Sequence, residues 1–364
     1  MKDRIKVLVI DDSSVVRQTF AELFKSTSDI ELSDVASNPY TAASRLKKKI
    51  PDVIILDIEM PRMDGLTFLK KLMSQYPTPV IICSSLTETD NKLALEATRL
   101  GAVEVIHKPK VGVKEYLEES LILIGDAVRA AAQTKPAKRK RSTPEPKEET
   151  HNRPVQTKYS ADAVVPEKQS PPSNITTTQN SVVAGASTGG TQALEKIIES
   201  LPANSPGMII VQHMPYGFTA TFAERLNAIS KLEVKEASNG DSVISGRVLI
   251  APGNKHLTIE RNGTRYQVKI ADGPLVSRHR PSIDVLFRSA AQCAGASCMG
   301  VLLTGMGEDG AQGLLEIKKA RGRTLVQDEA TSIVYGMPKA AVEINATENI
   351  VPLESISGYI ARFK

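Results

Sequence analysis

From residue 5 to about residue 131, short apolar runs alternate with longer stretches whose apolar residues recur at helical spacing. The runs IKVLVI, ELSDVA, DVIILDI, PVIICSS and AVEVIH are rich in Val and Ile, end near polar residues, and each precedes an amphipathic segment such as 13–26. Five such β-α units predict a parallel sheet covered by helices on both faces. Between about Gln133 and Gln179 the pattern gives way to Lys, Glu, Pro, Ser, Thr and Gln, as in TKPAKRKRSTPEPKEETHNRP. Such a segment cannot bury enough apolar surface to offset its chain entropy, so it reads as a flexible charged linker. Beyond it SVVAGAS, GMIIVQHM, SGRVLIAPG, YQVKIADG, SCMGVLLTG and RTLVQDE read as strands, with helices starting near Thr191, Gly217, Ser282 and Ala311. The expectation is α/β throughout. A doubly wound five-stranded parallel domain spans 1–132, a linker 133–179, and a second α/β domain with a mostly parallel sheet 180–364.

The 364 residues, 41% of them hydrophobic, suffice for two cores. No apolar run approaches the ~20 residues of a membrane helix, and MKDRIKVLVIDD opens like a strand and not like a signal peptide. A cytoplasmic protein without membrane insertion is expected. Cys83, Cys293 and Cys298 are too few and too poorly spaced for a disulfide framework or a four-ligand zinc site, and read as buried, reduced core residues. The net charge of +5 could suggest nucleic acid. Its excess, however, sits in Lys135, Lys138, Arg139, Lys140 and Arg141 of the linker, with no helix-turn-helix pattern or aromatic stacking set beside it. No nucleic-acid partner is expected.

In a parallel α/β sheet, ligands collect at the carboxyl ends of the strands. Asp11 and Asp12 end the first strand and Asp57 the third, so three carboxylates meet at one edge, where a divalent cation, naturally magnesium, would make their proximity tolerable. Ser84 ends the fourth strand, and Lys108, before Pro109, follows the fifth. A hydroxyl and an ammonium beside an acidic cluster suit a transferred phosphoryl group. Asp11-Asp12, LDIEMPRMDG, Ser84 and Lys108-Pro109 together resemble the receiver domains of response regulators, which have a flavodoxin-like fold. The resemblance implies Asp57 as phosphoacceptor. It also implies Mg2+ held by Asp11, Asp12, Asp57 and the Glu59 carbonyl, with Ser84 and Lys108 sensing the phosphate.

Residues 185–189, GASTG, satisfy G-x-S-x-G between a strand and a helix, a turn that exposes the hydroxyl of Ser187. The same glycine-rich turn could instead hold a phosphate or nucleotide, so the question is whether a base lies within reach. His213 directly follows MIIVQ, on the sheet edge where Ser187 sits, which favours it as general base. His256 and His279 fit structural or substrate-contacting roles better. Asp309, in the turn GMGEDG after MGVLLTG, is the favoured acid, with Glu308 and Asp284 as alternatives.

The motifs GASTGG, QHMPYGFTATFAERL, GRVLIAPGNKHL, HRPSIDVLFRSAA, LLTGMGEDGA and QDEATSIVYGMPKAA look like the catalytic domain of the chemotaxis protein-glutamate methylesterases. The resemblance implies Ser187 as nucleophile, His213 as base, Asp309 as its orienter, and Thr188 and the Met306 backbone N–H as oxyanion contacts, with no cofactor in this domain. It further implies hydrolysis of glutamyl γ-methyl esters and deamidation of glutamines on methyl-accepting chemoreceptors. A chemotaxis histidine kinase would be the phosphodonor. The receiver is expected to cover the cleft until Asp57 is phosphorylated. Tyr216 stands where this family often has a second proline, a variation at the rim of the cleft.

Overall fold

A computed structural model describes residues 4–60, 64–85, 87–109, 114–134, 159–167, 180–347 and 349–363. The basic cluster at 135–141 lies outside the described residues. In the N-terminal half, β1 (Ile5–Ile10), β2 (Ile30–Ala36), β3 (Val53–Asp57), β4 (Val80–Ser84) and β5 (Glu104–His107) form an all-parallel sheet in the order 2-1-3-4-5. The intervening helices are α1 (Ser14–Lys25), α2 (Pro39–Lys48), α3 (Gly65–Gln75), α4 (Glu88–Arg99) and α5 (Lys114–Gln133). Their starts are written locally. Ser13, Asn38, Asp64 and Thr87 each accept a first-turn amide with the side chain, and Pro39 occupies the position where its missing N–H costs nothing.

Successive strand residues point to opposite faces, so β1, β3 and β4 feed two cores. Val7, Val9, Ile55 and Ile81 pack with Phe20 on one face. Leu8, Ile10, Ile54, Leu56 and Ile82 pack on the other.

The second half contains β6 (Ser181–Ala186), α6 (Gly190–Ser200), β7 (Gly207–Gln212), α7 (Phe218–Ile229), β8 (Glu233–Glu236), β9 (Ser242–Val243), β10 (Arg247–Ile250), β11 (His256–Asn262) and β12 (Arg265–Ala271). It continues with α8 (Ile283–Cys293), β13 (Cys298–Leu302), α9 (Ala311–Lys319), β14 (Arg323–Gln327), α10 (Met337–Glu343), β15 (Ile350–Val351) and α11 (Leu353–Ala361). Seven strands form a parallel sheet ordered 15-14-13-6-7-10-8. The chain starts at β6, builds outward through β7, then returns to add β13 on β6's other side. The crevice beyond β6 and its neighbours is therefore a topological switch point.

The YQVKIADG run is a strand, but it lies outside this sheet. It forms β12, antiparallel to β11 and β9 in a separate three-stranded ribbon. The β11–β12 hairpin turns at Gly263-Thr264, a two-residue loop whose first position, Gly263, has φ +61° and so suits glycine. Cys83 and Cys298 are buried, as the sequence suggests, while Cys293 is only half-buried; all three are free thiols. Met60, Phe218 and Phe222 are buried packing residues. No helix among the described residues is long and apolar enough to cross a membrane.

Within the stretch read as linker, residues 159–167 dock on the second domain. Ser160 caps a 3-10 turn at Ala161–Ala163, and Ala161, Val164 and Val165 pack against Val276 and Val285. Tyr159 O accepts from Ser277 N, and Arg288 joins Asp162 (2.6 Å) to Glu316 (2.7 Å). The surrounding polar composition masks the short apolar run ADAVV. Arg288 is a mostly buried cation with two acidic partners. Arg288→Ala is expected to destabilise the protein by about 3 kcal/mol and to expose 159–167 to limited proteolysis, read by denaturant titration and mass spectrometry.

Candidate active site

The first acidic site forms where β1 and β3 end side by side. Oxygens of Asp11, Asp12 and Asp57 lie within 4.8 Å of one another. Lys108, after β5, reaches Asp57 Oδ2 at 2.6 Å and Asp11 Oδ2 at 3.3 Å. Burial pushes the Asp57 carboxyl up to about 6, the Lys108 hydrogen bond opposing and Asp11 adding to the rise. Burial likewise raises Asp11 against the pull of Lys108. Burial alone would lower Lys108, but its contacts with Asp57 and Asp11 leave it raised. One ammonium thus does not satisfy three clustered carboxylates, and Asp11 Oδ2 makes no hydrogen bond. This donor set fits a hard divalent cation. Ser84 is buried at the end of β4, its carbonyl accepting from the Lys108 amide. The Glu59 amide donates to Asp57 Oδ1.

In the second domain, Ser187 follows β6, His213 follows β7 and Asp309 lies in the loop after β13. Ser187 is held by its amide, which donates to Thr304 O, and by its carbonyl, which accepts from Gln212 Nε2. His213 Nε2–H donates to Asp309 Oδ2 at 2.8 Å. The other ring nitrogen, Nδ1, is buried without a partner. Ser187 and His213 both line one cavity of about 570 Å³.

Asp309 meets the N-terminus of α8. Its carboxylate accepts from Ser282 Oγ (2.8 Å), Ile283 N (2.7 Å) and Asp284 N (3.0 Å) as well as from His213. Burial pushes this carboxyl up, yet His213, with His279 and the Ile283 amide, outweighs it and holds Asp309 below the usual carboxylate range. Asp284 behaves oppositely. Burial, reinforced by the charge of Asp309, raises it well above that range, and its Oδ1 accepts from Gly313 N on α9. Neither alternative acid is the hydrogen-bond partner of His213: Asp284 serves the α8–α9 contact, and Glu308 is exposed at the cavity.

Among the described residues the amides of Thr188 and Met306 donate to no acceptor, and both residues line the cavity. His256 is fully buried. Its Nε2–H donates to Pro274 O (2.9 Å) and its Nδ1 accepts from Ser282 N (3.3 Å), and burial lowers its pKa, which suits a neutral ring. His279 stacks on His213 with ring centroids 3.7 Å apart. Sequence reasoning gave Ser282 no part in the site. The signal was its position as the residue opening the helix in HRPSID, where a capping hydroxyl is expected.

The N-terminal domain supplies one wall of the cavity. Glu104 of β5 accepts from Thr188 Oγ1 at 2.6 Å, His107 donates to Tyr216 O at 3.0 Å, and Asn91 of α4 donates to Gly217 O at 3.0 Å. Arg225 faces Glu96 at 3.8 Å, and Arg278 faces Asp126 of α5 at 3.5 Å. Burial raises the Glu104 carboxyl to about 7, the Thr188 hydroxyl partly offsetting it.

An acidic cluster at the strand ends of one five-stranded parallel domain, packed beside a serine, histidine and acid in the other, has the layout of a response regulator with an enzymatic output. Residues 7–117 match the response regulator receiver domain and residues 182–360 match CheB methylesterase. The chain is 52% identical over 359 residues to protein-glutamate methylesterase/protein-glutamine glutaminase 3 of Geobacter metallireducens, covering 99% of each chain. It is also 52% identical to protein-glutamate methylesterase/protein-glutamine glutaminase 2 of Rhodospirillum rubrum, over all of this chain and 99% of that one. The CheB methylesterase catalytic domain of Thermotoga maritima aligns with a TM-score of 0.50 at 36% identity, over 51% of this chain and 100% of that structure. The chain belongs to the protein-glutamate methylesterase/protein-glutamine glutaminase family.

The raised Asp57 pKa has a stability consequence. Asp57 is neutral in both folded and unfolded chains well below pH 3.8; as pH rises from there to about 6, the unfolded chain releases a proton that the fold retains, so stability falls. At pH 7 without divalent cations, Asp57→Asn is expected to stabilise the N-terminal domain by on the order of 1–3 kcal/mol, and to reduce the gain in Tm that wild type shows on adding magnesium.

Proposed function

We propose that this protein hydrolyses glutamyl γ-methyl esters, and deamidates glutamines, on methyl-accepting chemoreceptors in the cytoplasm, with Ser187 as nucleophile. The observation that carries the reading is the buried His213–Asp309 hydrogen bond beside Ser187 in one cavity. With Nε2 committed to Asp309, Nδ1 is the nitrogen that takes the Ser187 proton. The Ser187 hydroxyl attacks the ester carbonyl, and the Thr188 and Met306 amides receive the developing oxyanion. His213 returns its proton to the departing methanol. Water, deprotonated by the same nitrogen, then attacks the acyl-enzyme and frees the glutamate carboxylate and Ser187. An amide substrate follows the same course, with the His213 proton going to departing ammonia. A module that only bound nucleotide at GASTGG would have no use for a buried acid bracing a histidine at the same cavity.

In this reading residues 1–132 are the receiver, 133–179 the linker, and 180–364 the catalytic domain. Asp57 accepts the phosphoryl group from a chemotaxis histidine kinase. Mg2+ held by Asp11, Asp12, Asp57 and the Glu59 carbonyl would supply charge neutralisation there, and Ser84 and Lys108 would contact the phosphate. The docked receiver closes the cavity over Ser187, which supports inhibition relieved by phosphorylation.

Methanol release from methylated receptor membranes is expected from wild type and to be accelerated by a small-molecule phosphodonor with magnesium. Ser187→Ala is expected to lower it roughly 10³-fold or more. Inactivity of wild type under every condition would sink the substrate assignment. Asn91→Asp sets a carboxylate against the Gly217 carbonyl that Asn91 now donates to. It is expected to raise the unphosphorylated rate several-fold while leaving the fully phosphorylated rate unchanged, measured in the same assay.

A further inference from the structure

Residues 276–281 form a short loop on the cavity wall, next to the His213 ring. Two consecutive residues in it are left-handed, Ser277 at φ +50° and Arg278 at φ +68°. Such a conformation costs on the order of 1 kcal/mol or more per non-glycine residue and persists where the surroundings impose it. The surroundings here are specific. Ser277 N is tied to Tyr159 O, Val276 and His279 exchange backbone hydrogen bonds, and the His279 ring lies on His213. The loop carries two arginines of different standing. Arg280 is consumed structurally, donating to Asn254 Oδ1 and Gly273 O. Arg278 is half-exposed at the cavity, and among the described residues its guanidinium meets only Asp126 of the receiver, at 3.5 Å. Asp126 is already paired with Arg129 at 2.8 Å, so Arg278 gains little from it.

The geometry points to Arg278 as a specificity-determining residue that binds a carboxylate flanking the reacting glutamyl group of the substrate helix, with Asp126 occupying that place in the docked protein. This rests on the ester hydrolase reading above. A guanidinium held in a strained loop beside the base, with no partner in its own domain among the described residues, suits a ligand carboxylate that arrives with the substrate. The receiver supplies an acid at that point from α5, itself a helix.

The test uses full-length protein with a small-molecule phosphodonor and magnesium. The substrates are two synthetic helical peptides bearing one glutamyl γ-methyl ester, flanked one turn away by glutamates or by glutamines. Wild type is expected to favour the acidic peptide about tenfold in KM. Arg278→Ala should raise KM for the acidic peptide about tenfold with kcat within about twofold, leaving the neutral peptide unaffected; Arg278→Lys should retain part of the preference and Arg278→Glu reverse it. Retention of the wild-type preference by Arg278→Ala, or an equal loss of kcat on both peptides, would overturn the assignment. So would a wild type that cleaves both peptides alike. A wild type releasing methanol from neither peptide nor from receptor membranes would instead bring down the hydrolase reading itself, and this inference with it.

Discussion

A carboxylate buried as Asp309 is, at 2% exposure, would cost several kcal/mol if left bare. Four donors converge on it instead: the Ser282 hydroxyl, two amides of the first turn of α8, and His213. This cluster fixes the second domain's chemistry because its members come from distant parts of the chain. The loop after β13 delivers the acid, the start of α8 its solvation, and the end of β7 the imidazole. Gly310 makes the approach possible, since a Cβ there would lie 2.6 Å from Ile283 Cγ2, and its φ of +93° suits glycine alone. His256 supports the arrangement from behind by accepting the Ser282 amide, so a second, buried imidazole helps set the helix end that solvates the acid.

The receiver meets this machinery through polar groups as well as through a shared apolar cluster in which Ala94 and Leu95 of α4 join Phe218 and Phe222 of α7. Its polar contacts are single hydrogen bonds and loosely paired charges, and one of them holds a half-buried carboxyl, Glu104, which desolvation pushes up to about 7. An interface of this kind can exclude water and substrate without being strong, because the burial of Glu104 and the incomplete pairing of Arg278 offset part of the apolar gain.

Much of this was legible in the sequence because the signals were local. Val/Ile runs alternating with helical periodicity gave both sheets, and strand ends placed Asp11, Asp57, Ser187 and His213 at carboxyl edges before any coordinates. Other features depended on contacts distant in sequence. The β11–β12 ribbon left the main sheet because a run such as YQVKIADG says nothing about which strand it will pair with. Residues 159–167 sank into a polar average, since five apolar positions do not reveal that Val276 and Val285 wait for them. His279 on His213 and Glu104 on Thr188 join residues 66 and 84 positions apart, beyond any motif. Two short strands, β8 and β15, carry too few residues to show a period.

The first turn of α4 lies between the acidic cluster and the cleft. Asp57 Oδ1 accepts the Glu59 amide, the nearby Asp90 carboxyl raises the Glu59 carboxyl, and Asp90 itself accepts from the Ser85 hydroxyl. Asp90 is fully buried, and its Oδ1 has no hydrogen-bond partner. The next residue, Asn91, holds the Gly217 carbonyl at the start of α7. Asp90 and Asn91 thus put a buried acid next to a side chain that bonds the receiver to the α7 cap. A shift of a few kcal/mol is enough to convert a mostly docked population into a mostly open one.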